Sequence, residues 1–171
     1  NFSSAGNMSR AHPDENSRPQ QFGSAHVCRI ARVSPRQLQW WDEQKILSPV
    51  QQGHRRVYLP EDVIGIIVIA GLRRKGFTLE RIRPLLRPMR REIQRHLEEL
   101  LNGGYRLYLL TDGRTSHFEE QPARIIELLK SFRTPAVLIS LGDAAECVTG
   151  FHKRAKGTAS HDRDRTQLKL F

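Results

Sequence analysis

Arg36, Gln39, Trp40 and Glu43 recur at helical spacing and form a guanidinium, an amide, an indole and a carboxylate on one face. Arg and Gln are the side chains whose donor and acceptor pairs match guanine and adenine edges, so the chemistry this set could do is base recognition. The opposite face carries Leu38 and Trp41, three apart, and reads as core. The element that must hold them is a helix within Val33–Leu47, started by Ser34 as N-cap and Pro35 at the first helical position.

Upstream, Val27, Ile30 and Ala31 follow Ser24 at helical spacing, and only Arg32–Val33 separates the two helices. That is helix-turn-helix spacing. Downstream, Pro49–Leu59 reads as a hairpin: Val50 and Val57–Leu59 are strand-like, and Gly53 provides the turn. Its tip and return strand carry His54, Arg55, Arg56 and Tyr58. For Arg55 and Arg56 the alternatives are phosphate or minor-groove contact and a merely solvated basic hairpin. Tyr58 reads equally as a DNA contact or as packing on the domain.

The stretch from Phe22 to about Leu86 resembles, in register, the winged helix-turn-helix domain of the MerR family of bacterial transcription regulators. The residues that carry the likeness are FGSAHVCRIARVSPRQLQWWDEQKILSPVQQGHRRVYLPEDV and LRRKGFTLERIRPLL. The chain departs from the family pattern at Arg32, where a Gly usually stands in the turn, and at Gln39, where an Arg is usual. The resemblance implies a dimer on promoter DNA that is bent or untwisted so that RNA polymerase engages both promoter elements. In that setting Arg36, Gln39 and Trp40 would enter the major groove, and Arg55, Arg56 and Tyr58 would hold the flanking backbone.

Charge distribution agrees with a double-stranded DNA partner. The 171 residues carry a net +10, and residues 22–91 hold 14 Lys/Arg against 5 Asp/Glu, whereas residues 92–150 hold 6 against 9. Segregation of this kind marks a binding surface better than a generally basic composition does. Cys28 and Cys147 lie too far apart for a short metal or redox motif, and a reducing cytoplasm is expected. No apolar run is long enough to span a bilayer.

The fold expected is α+β: an N-terminal winged helix-turn-helix, a linking helix and a small C-terminal ββαβ domain. The boundaries are 1–21 as a disordered segment, 22–86 as the DNA-binding domain, 87–103 as the linking or dimerisation helix, 104–150 as the α/β domain and 151–171 as a basic disordered tail. Asn1–Asn7 read as an appended stretch ahead of Met8. The length allows one domain of ordinary size or two small ones, each with a modest core, and two small ones are expected. Residues 60–75, VIGIIVIAG included, fit either a buried strand or a helix by pattern. The Pro60–Glu61–Asp62 opening and the Gly76 stop favour the helix. Thr78 caps a short helix ending near Pro84, and a further helix from Pro88 carries Met89, Ile93, Leu97, Leu100 and Leu101 as an apolar seam. This seam serves either a homodimer or packing on the C-terminal domain.

In residues 105–150, Tyr105–Leu110 and Thr115–Glu120 read as a hairpin about Thr111–Arg114. Pro122–Phe132 follows as a helix with Ile125, Ile126, Leu128 and Leu129 inward, and Ala136–Leu141 as a buried strand. His117, Glu119 and Glu120 are split between two faces by strand alternation, and His96, Cys147 and His152 make a weak sensor set. No catalytic set, metal or cofactor is expected, and the protein reads as a non-enzyme. The chain ends on Gln167, Leu168, Lys169, Leu170 and Phe171, similar to the peptide by which replication and repair proteins dock on the β sliding clamp. The leading reading is therefore a cytoplasmic transcription regulator. The alternative is a DNA-bound adaptor that recruits the clamp through Gln167–Phe171, unless that end tucks onto the protein's own sheet.

Overall fold

A computed structural model describes residues 20–47 and 49–150, so the tail ending in Gln167–Phe171, the first nineteen residues and His152 lie outside the described part. The N-terminal unit begins with β1 (Phe22–Gly23), α1 (Ser24–Ala31) and α2 (Pro35–Glu43), followed by the hairpin β2 (Val50–Gln52) and β3 (Arg55–Tyr58). The three strands form an antiparallel sheet in the order β1-β3-β2, with Phe22 opposite Tyr58 and Val50 opposite Val57. Gly53 takes φ +60° at the first central position of the two-residue hairpin turn, a geometry open to glycine. At the end of α1, Arg32 takes the left-handed conformation (φ 54°, ψ 50°) and its N–H donates to the Cys28 carbonyl. The interhelical turn thus keeps the geometry that glycine makes easy, with an arginine in it.

Residues 60–75 resolve as a helix, α3 (Pro60–Arg74), buried on nearly every side. A strand would have to find ladder partners for its backbone, whereas the helix satisfies its own and leaves all of its apolar surface for packing. Asp62 opens it, accepting the Leu59 N–H at 3.0 Å and Arg90 Nη2 at 3.1 Å. Near its end, Arg73 donates to the Phe77 carbonyl and Arg74 to that of Ala31, so two of the basic residues hold the fold together.

The expected break near Pro84 does not occur. α4 (Leu79–Arg95) runs on with Pro84 and Pro88 inside it, although each removes a backbone donor. The buried stripe Ile82, Leu85, Met89 and Ile93 continues in phase across both prolines, and burying it offsets the lost hydrogen bonds. The helix breaks later, at His96, and resumes as the short α5 (Leu97–Asn102).

The C-terminal unit has the expected ββαβ order: β4 (Tyr108–Thr111), β5 (Ser116–Glu119), α6 (Pro122–Ser131) and β6 (Val137–Ser140). The sheet is antiparallel in the order β5-β4-β6, pairing Leu109 with both Phe118 and Ile139. Two local expectations fail here. Ile126 and Leu129 face outward rather than inward, and β6, expected to be a buried strand, sits at the sheet edge with Leu138 exposed. Residues 141–150 add a further helix, α7, which the sequence reading lacked; Ala144, Ala145 and Val148 on it are buried.

The core is continuous. Leu107, Leu109, Leu141 and Val148 belong to the same buried cluster as Val27, Trp41 and the apolar residues of α3. This corrects the expectation of two separate cores: α3 is apolar all round because both units pack on it.

Candidate nucleic-acid interface

α2 is fixed at its start by a reciprocal cap. Ser34 Oγ accepts the Gln37 N–H at 3.1 Å, and Gln37 Oε1 accepts the Ser34 N–H at 3.0 Å. Leu38 and Trp41 are buried and anchor the inner face. Arg36, Gln39, Trp40 and Glu43 are turned outward and line one shallow concave surface with Ser34 and Gln37. Trp40 is 42% exposed, unusual for a residue of that size unless its ring has a surface to meet. Gln39 Nε2 donates to Glu43 Oε1 at 2.9 Å, so the amide that would read a base is engaged by a neighbouring carboxylate.

The wing separates its three expected contact residues. Alternation along β3 places Arg56 and Tyr58 on one face and Arg55 on the other. Arg55 is exposed at the hairpin end. Arg56 turns toward α2, where its Nη2 lies 3.2 Å from Asp42 Oδ2; it clamps the wing to the recognition helix while staying about one-third exposed. Tyr58 is 1% exposed, which corrects its reading as a DNA contact. Burial pushes its phenol pKa up, opposed by a hydrogen bond to Ser24. The missed element is β1: Phe22 opposite Tyr58 makes that position the inside of a three-stranded sheet rather than the face of a free hairpin.

A second broad concavity runs between the start of α1 and the wing, lined by Ser24, His26, Gln52, His54, Arg55 and Arg56 among others. His26 and Gln52 were not singled out from the sequence. Their signal would have been the β1–β3 pairing, which brings the start of α1 beside the hairpin.

The apolar seam expected for dimerisation is closed within the chain. Met89, Ile93 and Leu100 are at most 3% exposed in the chain's own core, and Leu97 packs against it, which corrects their reading as a free partner-binding face. The remaining polar candidates also have local partners: His96 Nδ1 lies 2.9 Å from the Tyr105 hydroxyl, which donates to Glu120 at 2.6 Å, and His117 meets the Phe132 ring edge-on. Cys147 is exposed. Among the described residues no group of three His, Cys, Asp or Glu side chains is placed to hold a metal ion, and no helix is long and apolar enough to cross a membrane.

Residues 23–88 match the family described as MerR HTH family regulatory protein. The match begins in β1 and runs through the capped recognition helix and the wing into α4. No curated protein matches the chain. Residues 23–88 are thus a helix-turn-helix segment of the MerR type, the type of segment found in DNA-binding transcription regulators.

Proposed function

We propose that the protein is a sequence-specific regulator that binds promoter DNA as a two-fold dimer and distorts it, presenting the promoter to RNA polymerase in the cytoplasm. The observation that carries this reading is the outward set Arg36, Gln39 and Trp40 on a capped helix, with the wing held beside it by Arg56 and Asp42. In this reading Arg36 reads a base edge bidentately, Trp40 packs on the duplex, and Arg55 contacts phosphate. Arg56 acts mainly by positioning the wing.

A single domain of this size covers little DNA, and two symmetric copies would read a pseudo-palindrome. With the α4–α5 seam closed, the exposed large apolar side chains of the C-terminal unit among the described residues, Ile126, Leu129 and Leu138, are the face assigned to a partner copy. The adaptor alternative rests on Gln167–Phe171, outside the described residues, and no feature of the fold favours it.

The test begins with selection of a preferred duplex from random DNA, followed by titrations at several salt concentrations. Arg36→Ala should lower affinity for the preferred site by about 1–3 kcal/mol and leave the random-sequence background nearly intact. Arg55→Ala should weaken both and flatten the salt dependence. Equal losses on both DNAs for Arg36→Ala would remove it from base reading. Sedimentation of wild type and of Ile126→Asp with Leu129→Asp, free and on DNA, decides the stoichiometry. A wild type that stays monomeric on its selected site would refute the dimer.

A further inference from the structure

A cleft of about 250 Å³ opens between α3, α4 and the turn that leads from α2 to the wing. Its walls are apolar, from Ile46, Leu47, Leu86, Met89 and Ile93. Its charged residues are Lys45, Arg83, Arg87 and Arg90 against Glu61 and Asp62. Two of the cations are engaged: Arg90 is paired with Asp62, and Arg83 donates to Gln44 Oε1 at 3.3 Å. Lys45 and Arg87 have no carboxylate within ion-pair distance among the described residues, which leaves Glu61 as the acid opposing them. None of these residues belongs to the outward face of α2 or to the wing.

Gly65 lines the cleft from within α3. Mid-helix, glycine is less favourable than alanine. A Cβ there would meet nothing closer than Met89 Cε at 3.8 Å, so packing of the fold does not demand glycine. The space left open lies among the apolar walls.

We infer that this cleft binds a compact amphipathic anion, with its head between Lys45 and Arg87 and its apolar body against Leu86, Met89 and the floor at Gly65. The volume corresponds to roughly eight water molecules, just under the range of drug-sized sites, which fits a short acyl chain or one aromatic ring bearing a carboxylate. The turn forming one wall joins α2 to the wing, so an occupant reaches the DNA-facing helix without touching DNA. That last consequence rests on the DNA-binding reading; the site does not, and its test reads binding directly.

The probe is octanoate, titrated into the full chain by calorimetry and by thermal shift, with octanol as the uncharged counterpart and acetate as the head alone. Octanoate should bind and raise Tm, with octanol and acetate weaker by about tenfold or more. Lys45→Gln with Arg87→Gln, both surface changes, should weaken octanoate by about tenfold and leave octanol unaltered. Gly65→Ala should raise Tm without ligand yet lower octanoate affinity several-fold by adding a methyl to the floor. Equal binding of octanol and octanoate, undiminished binding by the charge variant, or no binding at millimolar octanoate would each overturn the assignment. So would release of octanoate by a random DNA duplex from wild type and from Arg36→Ala alike, because the two cations would then be serving phosphate contact.

Discussion

Replacing Asp62 by alanine removes two interactions that tie the exit of the wing to both long helices. Its Oδ2 accepts the Leu59 N–H at 3.0 Å, and its Oδ1 accepts Arg90 Nη2 at 3.1 Å. Loss of a capping carboxylate at a helix start costs about 1 kcal/mol. The ion pair adds less: Asp62 is 8% exposed but Arg90 is 57% exposed, so solvent screens the pair and about 0.5 kcal/mol is a fair share. Asp62→Ala should therefore destabilise the protein by about 1.5 kcal/mol. Arg90→Ala should cost about 0.5 kcal/mol or less. Asp62→Asn keeps an oxygen for the cap and should fall near Arg90→Ala. Urea denaturation of the three variants, with slopes compared to confirm an unchanged denatured state, measures each value. High salt should narrow the gap between wild type and Asp62→Asn but not that between Asp62→Asn and Asp62→Ala. If Asp62→Asn proves as damaging as Asp62→Ala, the cap contributes nothing and the charge alone stabilises, contrary to the reasoning.

Three further outcomes are expected. Glu43→Ala frees the Gln39 amide and removes a negative charge from the reading face, so DNA affinity should rise about twofold from the lost pair and further at low salt; a loss confined to the preferred site would show instead that Glu43 accepts from a base. Arg32→Gly relieves a left-handed arginine worth about 1–2 kcal/mol, partly offset by greater freedom of the unfolded chain, for a net gain of about 0.5–1 kcal/mol by thermal melting; a lower Tm would assign the arginine side chain a stabilising contact. The Asp112 carboxyl is held well below the usual range by the Thr115 and Arg114 N–H groups and the Thr134 hydroxyl. Its contribution is present above the unfolded pKa, near 4, and is lost as pH falls below it, so the acid limb of the stability curve should flatten in Asp112→Asn. Parallel acid profiles for the two proteins would count against this.

The recognition helix was legible because everything that specifies it is local: a cap, a proline and an apolar pair three apart. The hairpin was legible for the same reason. Tyr58 stayed open between DNA contact and packing because its environment depends on β1, a two-residue strand with no pattern of its own, paired across more than thirty positions. The prolines of α4 misled for the opposite reason, since local preference argued for a break while the buried stripe through Met89 and Ile93 required continuity. Ile126 and Leu129 looked internal because an apolar helix face carries no mark of whether the chain itself covers it. The unbroken apolarity of α3 did hold the clue to the shared core: a helix needing cover on every side cannot belong to one small unit alone.

That shared helix also bears on modularity. A cut after the family segment, at residue 88, would sever α4 ahead of Met89 and remove Leu109, Leu141 and Val148 from the buried cluster that includes the apolar residues of α3. The DNA-binding segment is thus not an exchangeable cassette: grafted onto another effector unit, it would present raw apolar surface and invite aggregation. A shared core of this kind favours one cooperative transition, in which loosening the C-terminal sheet would reach the recognition helix as well.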